Sequence, residues 1–133
     1  MSLRILVVES DPAVSELLIE LLIELGHDAT SVSNPGKALT LLETGHFDLM
    51  FADCSLVEFN SQGPSTNPLP AVDGLALAKA AREDDPRLKI ILLTGFEREV
   101  VSTPVSDGTV DMIISKPFSL SEVEAALVRL FAV

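Results

Sequence analysis

The sequence predicts an α/β fold with an all-parallel sheet, and three observations point there. Strand-length apolar runs alternate five times with helix-length amphipathic segments along 133 residues. The run Leu49 to Ala52 shows no polar alternation, as expected of a strand buried on both faces between two helical layers. Hydrophobic residues make up 47% of the chain, enough to cover a sheet twice. Parallel strands joined by right-handed crossovers then form a three-layer sandwich, one domain spanning residues 1–133.

The first run, Leu3 to Val8, is apolar and β-branched, and it stops at Glu9-Ser10-Asp11-Pro12. Asp11 and Pro12 are a good N-cap and first-turn pair, so a helix starts there. Val14, Leu17, Leu18, Leu21, Leu22 and Leu25 follow its inward period, with Ser15, Glu16, Glu20 and Glu24 on the other side, and Gly26 ends it. A second strand covers Asp28 to Val32. Asn34-Pro35 repeats the cap for a helix that turns Ala38, Leu39 and Leu42 inward and closes at Gly45.

The third run, Leu49 to Ala52, is too short for a helix and ends on the carboxylate of Asp53. A 19-residue connection follows, Cys54 to Val72, against a median of about 4 to 6 for such loops. Asp73-Gly74 restarts order with a helix through Leu75, Leu77, Ala78, Ala81 and Arg82, stopped by Asp84-Asp85-Pro86. Lys89 to Leu93 is a fourth strand ending on Thr94-Gly95, and Glu97 to Ser102 leaves room for a short helix only. Val110 to Ser115 is the fifth strand, followed by Lys116-Pro117-Phe118. Ser119 with Glu122 forms a capping box for a last helix that presents Val123, Ala126, Leu127 and Leu130.

Composition excludes several functions. Nine basic against twenty acidic residues give a net charge of -11, the wrong sign for nucleic acid or an anionic membrane surface. Trp and Tyr are absent, leaving little for base stacking. No run approaches the roughly 18 apolar residues of a spanning helix, and Met1-Ser2-Leu3-Arg4 lacks the layout of a signal peptide. The single cysteine, Cys54, cannot form an internal disulfide. A cytoplasmic protein is the expectation.

Ligands of open α/β sheets bind beyond the carboxyl ends of the strands. The residues there are Glu9 with Ser10 and Asp11, Asp53, Thr94 and Lys116. A carboxylate can attack a phosphoryl group, further carboxylates can hold Mg²⁺, and a hydroxyl and an ammonium can bind the remaining phosphoryl oxygens. Each residue also has a plain reading. Asp11 caps a helix, an Asp after a strand can serve a turn, Lys116 can be a surface lysine, and Thr94 can simply end its strand. His27 and His46 read as structural or solvated, and Cys54 as a buried apolar residue.

Val7-Val8-Glu9, Phe47 to Asp53, Asp73-Gly74-Leu75, Leu92-Leu93-Thr94-Gly95 and Lys116-Pro117-Phe118 together resemble the receiver domain of a two-component response regulator, over essentially the whole chain. The resemblance implies a flavodoxin-like sheet in order 2-1-3-4-5. It implies that Asp53 accepts a phosphoryl group from a sensor histidine kinase or phosphotransfer protein. Glu9, Asp53 and the backbone carbonyl of Ser55 would hold Mg²⁺, Thr94 would hydrogen-bond the phosphoryl group, and Lys116, before a cis Pro117, would pair with it. The event would bias a surface read by a downstream protein or output domain, in a monomer or weak homodimer. Such a domain is a single-use acceptor rather than an enzyme.

Three departures from the family pattern matter. Ser10 stands where a second acid is usual, so it contributes to the metal only weakly or through water. A unit charge pair at about 4 Å is worth roughly 4 kcal/mol at an effective dielectric of 20, so Mg²⁺ binding should be weakened. Ile113 stands where an aromatic switch residue is usual. Asp53 and Asp73 are 20 apart, so an inserted loop lies at about residues 57–72. These departures motivate an alternative, a degenerate receiver acting as a phosphorylation-independent interaction module. A phosphatase of the haloacid dehalogenase type would need a second Asp two residues after Asp53, where this chain has Ser55.

Overall fold

The computed structural model describes residues 2–53, 74–95 and 108–132. The expected connection at Cys54 to Val72, Asp73 and the expected short helix at Glu97 to Ser102 lie outside the described residues. The remaining elements are β1 Arg4–Val8, α1 Pro12–Glu24, β2 Asp28–Val32, α2 Pro35–Thr44, β3 Leu49–Asp53, α3 Gly74–Asp84, β4 Lys89–Thr94, β5 Met112–Ser115 and α4 Leu120–Phe131.

The five strands form one parallel sheet in the order β2-β1-β3-β4-β5. Successive residues of a strand point to opposite faces, and each face feeds its own core. Leu6, Val8, Met50, Ala52, Ile90 and Leu92 pack under α2 and α3. Ile5, Val7, Leu49, Phe51, Ile91, Leu93 and Ile114 pack under α1 and α4. All five residues of β3 are buried, because it lies in the middle of the sheet with a helical layer on either side.

Helix ends follow the capping chemistry of the sequence. The Asp11 carboxylate accepts from Ala13 N at 2.9 Å, and Asn34 Oδ1 accepts from Lys37 N at 2.8 Å. Ser119 and Glu122 form the reciprocal capping box of α4. Gly26 turns the chain after α1 at φ 92°, a left-handed conformation that suits glycine. His27, next in sequence, is structural. Its Nδ1 accepts from Leu3 N at 3.1 Å, and burial holds its pKa below the ordinary 6.5.

Two expectations need correction. The inward face of α1 is centred on Ser15, Leu18 and Leu22, while Leu17 is 46% exposed. Apart from the stripe of Glu16, Glu20 and Glu24 the helix is mostly apolar, so its hydrophobic surface is wider than the area it covers, and packing against the sheet rather than hydropathy selects the buried face. Strand β5 begins at Met112 rather than Val110. Asp111, just ahead of it, donates its N–H to Ile90 O and accepts from Ile90 N through its side chain, so a carboxylate stands in for the backbone acceptor at this rung.

The corrected face of α1 is directly measurable. Leu22→Ala should lower stability by about 3 kcal/mol through cavity formation, and Leu17→Ala by under about 1 kcal/mol. Urea unfolding of both variants checks the order, and equal losses would contradict the packing.

Candidate functional site

Four of the sequence-predicted residues meet at the carboxyl edge of the sheet, and strand register puts them there. Val8 lies opposite Ala52, so Glu9 and Asp53 follow side by side on adjacent strands. Asp53 pairs with Leu93, and Thr94 with Ser115, which sets Thr94 one residue beyond the rung of Asp53. Lys116 stands two residues beyond that rung, roughly 6.6 Å along the strand direction, and its long side chain reaches back. Its backbone N–H donates to Thr94 O at 2.7 Å, tying the two strand ends together. The Lys116–Pro117 peptide is cis.

The Lys116 ammonium lies 3.0 Å from Glu9 Oε1 and 3.1 Å from Asp53 Oδ1. The side chain of Glu9 is fully removed from solvent and that of Asp53 is 2% exposed. Glu9 Oε2 is separately occupied by Asp11 N at 3.1 Å, so both oxygens of this carboxylate are fixed in place. Thr94 is buried at the end of β4.

Burial raises the pKa of Glu9 from 4.5 to about 7, and the adjoining Asp53 carboxylate adds to the rise. The Asp11 N–H and Lys116 oppose it without cancelling it. Burial alone would lower the pKa of Lys116, but the bonds and charges of Glu9 and Asp53 together outweigh it and hold the ammonium protonated above its ordinary range.

Ser10 follows Glu9 at the edge of this cluster. It is exposed and lines a cleft of about 530 Å³ between the ends of β1 and β2 and the first turns of α1 and α2, with Glu9, Ser15, Ser31, Ser33 and Lys37. Ser55, expected to offer a carbonyl, lies outside the described residues. Ile113 is half-buried against the core under α2 and α3. What sequence reasoning missed is the reach of Lys116 to Glu9, 107 residues away. No local signal announces it, because it depends on strand order.

The donor set fits Mg²⁺. Two adjacent carboxylates offer hard oxygen ligands, and Mg²⁺ is usually held by one or two carboxylates together with phosphate oxygens and water. Among the described residues no group of three or more His, Cys, Asp or Glu side chains gathers at one place, so protein charge for a cation is limited to that pair.

Sheet order and strand-end chemistry together define the class, a flavodoxin-like α/β domain with a charged centre beyond its parallel strands. Comparison with known proteins narrows the class to one family. No protein-family model matches the chain. The response regulator receiver protein CpdR of Brucella abortus is 33% identical over 130 residues, covering 94% of this chain and 97% of that protein. The transcriptional regulatory protein TcrA of Mycobacterium tuberculosis is 29% identical over 93% of this chain, which spans only 44% of its length. The response regulator TrrA of Thermotoga maritima, solved in complex with Mg²⁺ and BeF, is 28% identical, covers 98% of this chain with 100% of its own, and superposes with a TM-score of 0.78. The chain belongs to the receiver family of two-component response regulators. Among the described residues no helix is long and apolar enough to cross a membrane.

The raised pKa of Glu9 sets the sign of a pH effect. The folded chain favours the protonated acid, so the contribution of Glu9 to stability is fully present below about pH 4.5 and is lost as pH rises to about 7. In chelator, Glu9→Gln should melt close to wild type at the acidic end of that window and several degrees above it beyond the alkaline end. Thermal melts across the window check this, and a Gln variant less stable on the alkaline side would reverse the sign.

Proposed function

We propose that Asp53 is the phosphoacceptor of a two-component receiver, working in the cytoplasm and charged by a sensor histidine kinase or phosphotransfer protein. One observation carries the reading. Asp53 is a buried strand-end carboxylate that shares a single ammonium with Glu9.

An Asp53 carboxylate oxygen attacks the phosphorus of a phosphohistidine. The P–N bond breaks, the imidazole leaves with the bonding pair and takes up a proton, and an aspartyl phosphate remains. The Lys116 ammonium turns from Glu9 and Asp53 toward the phosphoryl oxygens, and the Thr94 hydroxyl donates to another of them. Glu9 and Asp53 would hold Mg²⁺, which would supply positive charge to offset that of the phosphoryl group. Asp53 is used once per charging and not in turnover. The new charge redistributes the surface around β5, which a downstream protein or output domain reads. With Ile113 in place of an aromatic ring, that redistribution is carried by packing of an aliphatic side chain.

A second reading has its own observation. Ser10 is exposed and brings no charge to the site, which favours an interaction module that works without phosphorylation. With Mg²⁺ and a small acyl phosphate, a receiver gains a base-labile phosphoryl group that Asp53→Ala abolishes, and its affinity for a partner changes on charging. Absence of labelling at saturating Mg²⁺, with partner binding indifferent to Asp53→Ala, would favour the module.

Ser10→Asp tests the charge argument directly. A third carboxylate at the site should tighten Mg²⁺ binding by at least about tenfold, the equivalent of ~1.4 kcal/mol. Titration of the metal followed by NMR measures it, and an unchanged affinity would show that position 10 does not limit the metal.

A further inference from the structure

We propose that Asp111 and Arg82 are positioning residues that set where Thr94 and Lys116 stand. The proposal rests on the phosphoacceptor reading only for its consequence in binding.

Strand β5 has a register problem. It is four residues long, and β4 is its only strand neighbour among the described residues. Its side chains do not define a register either, because Met112, Ile113 and Ile114 are consecutive apolar residues. A slip by one residue would exchange Ile113 for Ile114 between the two cores at little cost in packing. The same slip would shift Lys116 by roughly 3.3 Å and turn its side chain to the other face.

Asp111 removes the ambiguity. Its N–H donates to Ile90 O at 2.8 Å, and its Oδ2 accepts from Ile90 N at 2.8 Å, so one residue engages both backbone groups of its neighbour. The same Oδ2 receives Arg82 Nη2 at 2.7 Å. Arg82, in the last turn of α3, also donates Nη1 to Leu88 O at 2.7 Å, just before β4 begins. Both side chains are more than three-quarters buried, which strengthens charge-assisted bonds. Only a carboxylate at this residue meets Ile90 N and Arg82 together. A slip would offer Val110 or Met112 instead and leave both donors without it.

The clamp closes the amino end of the β4–β5 pair, and the bond from Lys116 N to Thr94 O closes the carboxyl end. What is fixed at one end therefore decides where the ammonium stands at the other.

Asp111→Ala removes both contacts, Asp111→Asn keeps an oxygen for Ile90 N, and Arg82→Met removes the charge partner. Leu22→Ala, in the core under α1, is the control for lost stability alone. Two quantities are read where circular dichroism shows every variant folded: hydrogen exchange of the Lys116 amide by NMR, and affinity for beryllofluoride with Mg²⁺. In Asp111→Ala the Lys116 amide should exchange, and beryllofluoride should dissociate, at least about tenfold more readily than in Leu22→Ala, with Asp111→Asn recovering much of both. If Asp111→Ala does not fold, Arg82→Met against the same control carries the test. Amide exchange and binding equal to the control would overturn the proposal, as would faster exchange with unchanged binding. Wild type that fails to bind beryllofluoride would sink the phosphoacceptor reading, and the amide exchange would still decide whether Asp111 places Lys116.

Discussion

One ammonium held between two buried carboxylates is the constraint on which this molecule turns. Glu9 follows the buried apolar run Ile5 to Val8 and Asp53 ends the buried apolar run Leu49 to Ala52, so their charges sit where water cannot screen them. A buried carboxylate without a partner costs several kcal/mol, and removing the cation that such carboxylates share typically costs about 3 to 5 kcal/mol. Lys116 meets that demand from the far edge of the sheet. The strand order is therefore an electrostatic requirement as well as a packing one, since it carries the only cation that these two acids engage among the described residues.

The balance is left incomplete, and the incompleteness suits a site that must receive something. Two carboxylates share one positive charge, so one of them is under pressure to protonate, as the raised pKa of Glu9 expresses. A divalent cation relieves the same pressure, and metal ions invert local pKa logic in this way. The exposed Ser10 limits how strongly such an ion is drawn in, because it adds neither charge nor burial to the pair. The phosphorylation and metal binding proposed for this site would draw on the same excess of negative charge, and this chain carries less of it than three acids would supply.

Packing explains why the supporting structure is asymmetric. Strands β1 and β3 lie inside the sheet and are held on both sides, so the acids they deliver need no further guidance. Strand β5 lies at an edge and has neighbouring isoleucines that suit either core. Its register is set by polar groups at its base, Asp111 and Arg82, and not by hydrophobic pattern. Apolar burial specifies the centre of the fold, and charge-assisted hydrogen bonds specify its margin.

The sequence by itself determined much of this. Alternating buried runs, the caps at Asp11, Asn34 and Ser119, and the glycine after α1 are local signals, and local chemistry forms those elements wherever they are placed. The identity of the strand-end residues Glu9, Asp53, Thr94 and Lys116 was legible for the same reason, since each ends its strand or follows directly on it. Tertiary structure alone decided which part of the broad apolar surface of α1 faces inward, because hydropathy cannot choose among Leu17, Leu18 and Leu22. It also decided that Lys116 spans Glu9 and Asp53, that Ser10 is left exposed beside them, and that β5 begins only after Asp111, which pairs with Ile90. Those outcomes depend on strand order and register, which join residues far apart in the chain and leave no trace in spacing.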